Sequence, residues 1–182
     1  MNEPAVNPPI VGPARHPDWR FMLSHPAHLI ALGFGSGLSR IAPGTAGTLW
    51  AWLVFAALQP TMSEMARGVV LVLATLVGWW ACTVTARHLG QADPSCVVWD
   101  EIVAFWLVLW FVTPSGLRAQ AMAFALFRVF DAAKPGPVAW ADQLFKRRRG
   151  SSVGWAQGFG ILFDDFVAAL CTLLVIALWK FI

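Results

Sequence analysis

The chain has 182 residues, 58% of them apolar and only 13% charged. An average soluble domain is about 45–50% apolar and about 25% charged. Disorder, a disulfide mini-protein and a nucleic-acid-binding domain are therefore excluded as classes, and one membrane-embedded domain is the expectation. Thirteen basic against ten acidic residues give a net charge of +3, so where the charges sit matters more than their sum.

Residues 1–20 carry Pro4, Pro8, Pro9, Gly12, Pro13 and Pro17. They read as a polar, poorly ordered tail without the apolar run of a signal peptide, and the domain proper is expected over 21–182. A short apolar segment with His25 and His28 leads into a glycine-rich turn region that ends near residue 48. Thr45 or Thr48 is a candidate cap for a helix that Pro60 stops. Residues 68–86 contain no charge and are long enough to cross about 30 Å of hydrocarbon at about 1.5 Å per residue.

Residues 97–112 are apolar apart from Asp100 and Glu101, and turn residues 113–116 close them. A shorter helix over 119–134 carries Arg128, Asp131 and Lys134 and is stopped by Pro135 and Pro137. Lys146, Arg147, Arg148 and Arg149, followed by Gly150, Ser151 and Ser152, read as a basic loop. The last helix, over 159–182, has only Lys180 charged after Asp165. The basic run before it, with Arg15 and Arg20, places that side in the cytoplasm by the positive-inside rule. The expectation is an all-α, compact, multi-helix integral membrane bundle with three to five membrane-associated helices. Cys82, Cys96 and Cys171 lie in apolar runs with no C-x-x-C, so neither a disulfide framework nor a zinc site is supported. Eleven tryptophans without a tyrosine suit a chain with membrane interfaces.

Ten acids serve the whole chain, yet Asp100, Glu101, Asp131, Asp164 and Asp165 fall in or beside apolar segments. A carboxylate there is costly, about 2.5–3.5 kcal/mol at a helix centre on insertion scales. First-turn positions account for Asp100 and Asp164, where the helix dipole helps, but not for two adjacent pairs. The other five, Glu3, Asp18, Glu64, Asp93 and Asp142, read as tail, loop or terminus residues. Two helix ends with acidic pairs make an oxygen-rich site for a hard cation such as Mg²⁺, which binds a few carboxylates, waters and phosphate oxygens. Arg128 and Asp131 share a helical face, and Arg128 with Lys134 suits a phosphate. Five carboxylates with these two cations would repel a phosphomonoester, so a divalent metal or protonation is required.

The run Gly33–Gly37 followed by residues 43–48 offers backbone N–H groups and hydroxyls to a phosphate, though the same glycines serve tight turns and close packing. His28 competes between an acid/base role and a cap or interfacial one; His16 and His88 read as surface residues. The cysteine-phosphatase loop fails, because His88, Ile102 and Ala177 stand six residues after the three cysteines where arginine is needed. No D-x-D-x-[TV] occurs, and Pro114-Ser115-Gly116 is followed by Leu117 rather than histidine. A phosphatase site here must be carboxylate-based.

Four blocks together resemble the phosphatidylglycerophosphatase A family: GFGSGLSRIAPGTAGT (33–48), VVWDEIVAFW (97–106), FRVFDAAKPGPV (127–138) and GFGILFDDFVAAL (158–170). The likeness runs over roughly 25–175, in family order. It implies Mg²⁺-dependent hydrolysis of phosphatidylglycerophosphate to phosphatidylglycerol and phosphate at a bacterial inner membrane, on its cytoplasmic face. By motif, it makes Asp100, Glu101, Asp131, Asp164 and Asp165 the catalytic and metal-binding acids. Phosphate binding falls to Arg128 and Lys134 with Gly35, Ser36, Thr45, Gly47 and Thr48. Arg40 stands where the family pattern has proline, and Thr48 where it has serine. Three rivals remain: a phosphatase for another lipid phosphate, a non-catalytic lipid-binding subunit, and a small ion or proton transporter. Against the transporter, the acids are expected near helix ends, beside Arg128 and Lys134, with none at a midplane.

Overall fold

A computed structural model describes residues 16–146 and 153–179, without the side chain of Lys146. Most of the expected tail and Arg15, the basic residues Arg147–Arg149 with the Gly-Ser-Ser that follows, and Lys180 lie outside the described residues. Within them the chain is all-helical, as expected, with eight α-helices and no strand. They are α1 (Trp19–Leu23), α2 (Pro26–Ala31), α3 (Pro43–Leu58), α4 (Glu64–Leu89), α5 (Trp99–Val112), α6 (Leu117–Ala133), α7 (Pro137–Lys146) and α8 (Trp155–Trp179).

Four boundaries correct the sequence reading. Helix α1 begins at Trp19, because the Asp18 carboxylate accepts the Phe21 amide at 2.9 Å and caps it, so 19–20 are not tail. Helix α3 begins at Pro43, at N1, with no side-chain cap. Proline suits that position because its missing N–H is not needed, and Thr45 and Thr48 therefore lie inside the helix. Helix α7 was not expected: Pro137 opens a helix rather than ending one, and Val138 and Ala141 bury its inner face. Helix α8 starts at Trp155, so Asp164 is two and a half turns in, not in a first turn.

Helix α5 is the core. It packs against α3, α4, α6 and α8, and Val103, Ala104, Phe105, Val108 and Leu109 are all fully buried. At 14 residues it is about 21 Å long, too short to cross a bilayer. Helices α4 and α8 are long and apolar enough to do so. They are not ordinary core helices, since only 33% and 39% of their most apolar stretches are buried. Val69, Val72, Leu73 and Leu76 on α4, and Leu170, Leu174 and Leu178 on α8, point outward.

The tryptophans do more than mark an interface. Five donate their indole N–H to a neighbouring element: Trp52 to Gln120, Trp79 to the Trp155 carbonyl, Trp99 to Ala74, Trp106 to Ala51 and Trp110 to Glu64, at 2.7–2.9 Å. In an apolar surround such donors need a partner, and each bond fixes one helix against another.

The histidines tie the amino-terminal helices to α4. His25 accepts the Ala27 amide at 3.1 Å and caps α2. His28 donates from Nδ1 to the Phe21 carbonyl at 2.9 Å, which leaves Nε2 to accept from His88 Nδ1 at 2.7 Å. Burial holds the His28 pKa below its ordinary value. The cluster joins α1, α2 and α4: His25 caps α2, and His28 links α1 to α4.

Candidate active site

Five elements bring polar residues to one cleft of about 290 Å³. Ala42, Pro43 and Gly44 come from the start of α3, Asp93 and Ser95 from the α4–α5 loop, and Asp100 and Glu101 from the first turn of α5. Arg128, Asp131 and Lys134 come from the end of α6, and Asp164 and Asp165 from α8. The other ends of α3–α6 and α8 run away from the cleft toward Leu58, Arg67, Trp110, Arg118 and Trp179. Between Asp165 and Trp179 α8 carries no charge.

All five acids that the sequence singled out line this cleft, and they divide into two kinds. Asp131 accepts a hydrogen bond from Arg128 Nη1, and Asp164 accepts one from Lys134 Nζ at 2.5 Å. Asp100, Glu101 and Asp165 instead place one carboxylate oxygen each within 4.8 Å of the others. Asp100 Oδ1, Glu101 Oε2 and Asp165 Oδ2 are buried and have no hydrogen-bond partner among the described residues. Asp100 and Asp165 are only 7% and 3% exposed. A buried acceptor left without a donor costs about 1–3 kcal/mol, more when charged, and three together could hold a cation.

The electrostatics agree. Burial pushes the Glu101 pKa up to about 7; a hydrogen bond shared with Asp100 opposes the rise, Asp131 adds to it, and Arg128 opposes it. Burial first, then the charges of Glu101 and Asp165, hold Asp100 well above the usual carboxylate range. Lys134 is the reverse. Burial favours its neutral form, but hydrogen bonds to Asp142 and Asp164 overcome that and keep it charged.

Arg128 reaches in at 3.8 Å from Glu101 Oε1 and 3.5 Å from Thr48 Oγ1. Its Nη1 is committed to Asp131, but its Nε is buried without a partner among the described residues. One donor of the guanidinium fork is thus unused. The Gly44 backbone packs beneath it, where a Cβ would collide with Glu101 Oε1 and sit 3.0–3.1 Å from the Arg128 guanidinium nitrogens. Replacing Gly44 by alanine should therefore leave helix content intact, since alanine is the better helix former, yet lower kcat about 10²-fold through displaced side chains. Circular dichroism beside a phosphate-release assay checks both halves.

The other glycine-rich candidates lie elsewhere. Ser36 donates to the Gly33 carbonyl at 2.9 Å within a 3₁₀ turn, where Gly35 takes a positive φ of 107°. Gly47 packs its backbone against Val98. Thr48 donates to the Gly44 carbonyl at 2.8 Å and touches the cleft only through Arg128. Thr45 is half-buried in the first turn of α3 and is not among the cleft-lining residues. Arg40 and Ile41 are exposed on the loop before Ala42.

Two acids dismissed as loop or terminus residues belong to the site. Asp93 lines the cleft, and Asp142 on α7 accepts from Lys134 Nζ at 2.5 Å. The signal for Asp142 was present: a proline at N1 followed by Val138 and Ala141, three apart, marks an amphipathic helix that carries Asp142 beside its buried face. The mid-helix placement of Asp164 and Asp165 also removes one reason for setting a transporter aside. What argues against a transport path is that Arg128 and Lys134 are ion-paired to the acids beside it.

The profile of the phosphatidylglycerophosphatase A family matches residues 29–180. The chain is 36% identical over 151 residues to phosphatidylglycerophosphatase A of Escherichia coli K12, covering 83% of this chain and 81% of that protein. It is 34% identical over 157 residues to phosphatidylglycerophosphatase A of Haemophilus influenzae, covering 86% and 90%. A Bacteroides thetaiotaomicron protein named "Putative phosphatidylinositol-3-phosphatase" is 36% identical over 161 residues, covering 85% and 93%. No solved structure matches the chain.

Proposed function

That this chain belongs to the phosphatidylglycerophosphatase A family is the premise from which we propose that it hydrolyses phosphatidylglycerophosphate to phosphatidylglycerol and phosphate with Mg²⁺ bound in the cleft. The observation that carries the reading is the set of three buried, partnerless oxygens of Asp100, Glu101 and Asp165 beside Arg128 and Lys134. The residues fit the metal: oxygen-only ligands, few in number, with room for waters and a substrate phosphate, suit Mg²⁺ rather than a softer ion. Asp100, Glu101 and Asp165 would hold it. When bound, it supplies Lewis acidity toward a phosphoryl oxygen and lowers the pKa of water.

The chain's own groups do the rest. Arg128 offers the unused side of its fork to the phosphoryl oxygens, where charge grows in the transition state. Asp131 fixes the guanidinium plane through Nη1. Lys134 keeps its charge and adds a point cation from the end of α6. Six acidic and two basic side chains line the cleft, so a phosphomonoester dianion is repelled until positive charge is added. Membrane residence follows the same reading. Arg67 and Arg87 on α4 are twenty residues apart with no charge between 68 and 86, about 30 Å of helix and about the thickness of the hydrocarbon core. The acyl chains then stay in lipid while the headgroup enters the cleft from the cytoplasmic side.

Phosphate release from phosphatidylglycerophosphate in mixed micelles should vanish on EDTA treatment and return with Mg²⁺. Activity that survives EDTA would remove the metal from the reading. A second substrate is favoured by the Bacteroides relative's name, and phosphatidylinositol 3-phosphate and phosphatidic acid belong in the same assay. Turnover of either at the rate of phosphatidylglycerophosphate would widen the substrate class to lipid phosphates in general.

A further inference from the structure

We propose that the cleft takes one divalent cation rather than two, because the ammonium of Lys134, held in place by Asp142, fills the second cation position. This rests on the divalent-cation reading above and deepens it. Asp164 and Asp165 are neighbours on α8, and successive helical residues point about 100° apart. Asp165 joins Asp100 and Glu101. Asp164, which also lines the cleft, borders a smaller cavity whose walls carry Asp93 and Asp142. Two carboxylate sets therefore stand side by side, and two cations would be the expectation from the acids alone.

Only one of these sets is open. Lys134 Nζ lies 2.5 Å from Asp142 Oδ1 and 2.5 Å from Asp164 Oδ2. A metal ion cannot bind between these oxygens without expelling the ammonium. The backbone is arranged to deliver that ammonium. Lys134 ends α6 in the left-handed conformation, with φ 44° and ψ 54°, which is uncommon and unfavourable for a residue other than glycine. Its amide donates to the Phe130 carbonyl at 3.0 Å. Pro135 and Gly136 then reverse the chain so that α7 brings Asp142 back to the same nitrogen. An ammonium has three donors and no acceptor. Two are committed here, and the third is left for a phosphoryl oxygen. Asp142 is accordingly a positioning residue, which acts through Lys134.

The test counts bound Mn²⁺, as a spectroscopic stand-in for Mg²⁺, by electron paramagnetic resonance on the purified full chain in detergent micelles. The unaltered protein should bind one Mn²⁺ per chain with no coupling between ions. Lys134→Gly, which suits the left-handed backbone, should bind two. Adding Asp142→Asn to Lys134→Gly should return the count to one. Lys134→Asn, also tolerant of that backbone, is the second variant should the glycine variant fail to fold. Two ions in the unaltered protein, or one in a folded Lys134 variant, overturn the inference while leaving the metal-dependent phosphatase intact. No Mn²⁺ bound, with phosphate still released, overturns the divalent-cation reading itself and this inference with it.

Discussion

Asp100→Asn is expected to abolish phosphate release while making the metal-free protein more stable. Asparagine keeps the shape of the side chain but carries no charge. Asp100 is buried at the first turn of α5, with Oδ1 unpartnered among the described residues and Glu101 and Asp165 as neighbours. On folding, its carboxyl must either repel ionised Glu101 and Asp165 or take up a proton, and both are costly. Removing it should raise stability by about 1–3 kcal/mol. The same change removes a proposed ligand, and a loss of at least about 10³-fold in kcat is expected from the magnitudes of single electrostatic contributions at such sites. The strain also fixes a pH dependence. Glu101 has its pKa raised from 4.5 to about 7, so the folded protein holds that proton more tightly than the unfolded chain. Its contribution to stability is complete below pH 4.5 and is lost as pH rises through about 7, roughly 3 kcal/mol at about 1.4 kcal/mol per unit. Thermal unfolding in EDTA at pH 4.5 and pH 8 should show that fall, and Mg²⁺ should reverse it at pH 8. If Asp100→Asn is inactive but less stable than the unaltered protein at pH 8 in EDTA, the acids are not in mutual repulsion and the case for a prepared cation site is lost.

The sequence already carried the acids, because an acidic pair inside an apolar run has a cost that demands a reason, and both pairs are in the cleft. It also carried α4 and most of α8, because a charge-free run of that length has few alternatives. It could not divide the acids into a triad with one unpartnered oxygen on each member and two close ion pairs. That division depends on which way Asp164 and Asp165 face, and on α7. Helix α7 was hidden by its own proline: Pro135 and Pro137 read as a stop, and only Pro135 and Gly136 make the turn. Asp142 was lost with it. The glycine-rich block shows the opposite limit. Its composition suits a phosphate cradle, but Gly33, Gly37 and Gly47 are spent on close approach to Val98, Cys96 and Val98 respectively. Gly44 alone brings its backbone under the cleft's charged side chains. Nothing in the spacing of small residues tells a glycine that receives a ligand from one that receives a neighbouring helix.

Arg128→Lys is expected to cost about 10²–10³-fold in kcat/KM, although charge is conserved. The argument rests on the division of labour within one guanidinium. Nη1 serves Asp131 and lies near Thr48, whereas Nε is buried and unpartnered among the described residues. Arginine can therefore satisfy Asp131 with one side of its planar fork and present another to a phosphoryl group. A lysine ammonium is a single point, and the nearby Asp131 and Glu101 would claim it. It would neutralise the acids and leave the phosphoryl oxygens without the second donor. Loss of one such donor from a water-poor site costs about 2.7–4 kcal/mol in the transition state. The loss should fall mainly on kcat, with KM within a few-fold, because the acyl chains and Lys134 still hold the ground state. Stability should change little, since the pairing with Asp131 survives. Arg128→Ala should differ on that point, leaving Asp131 without its partner and lowering the melting temperature. A lysine variant that keeps a third or more of the activity would mean that Arg128 serves only to neutralise Asp131 and Glu101, and the phosphoryl contact would have to be reassigned to Lys134 alone.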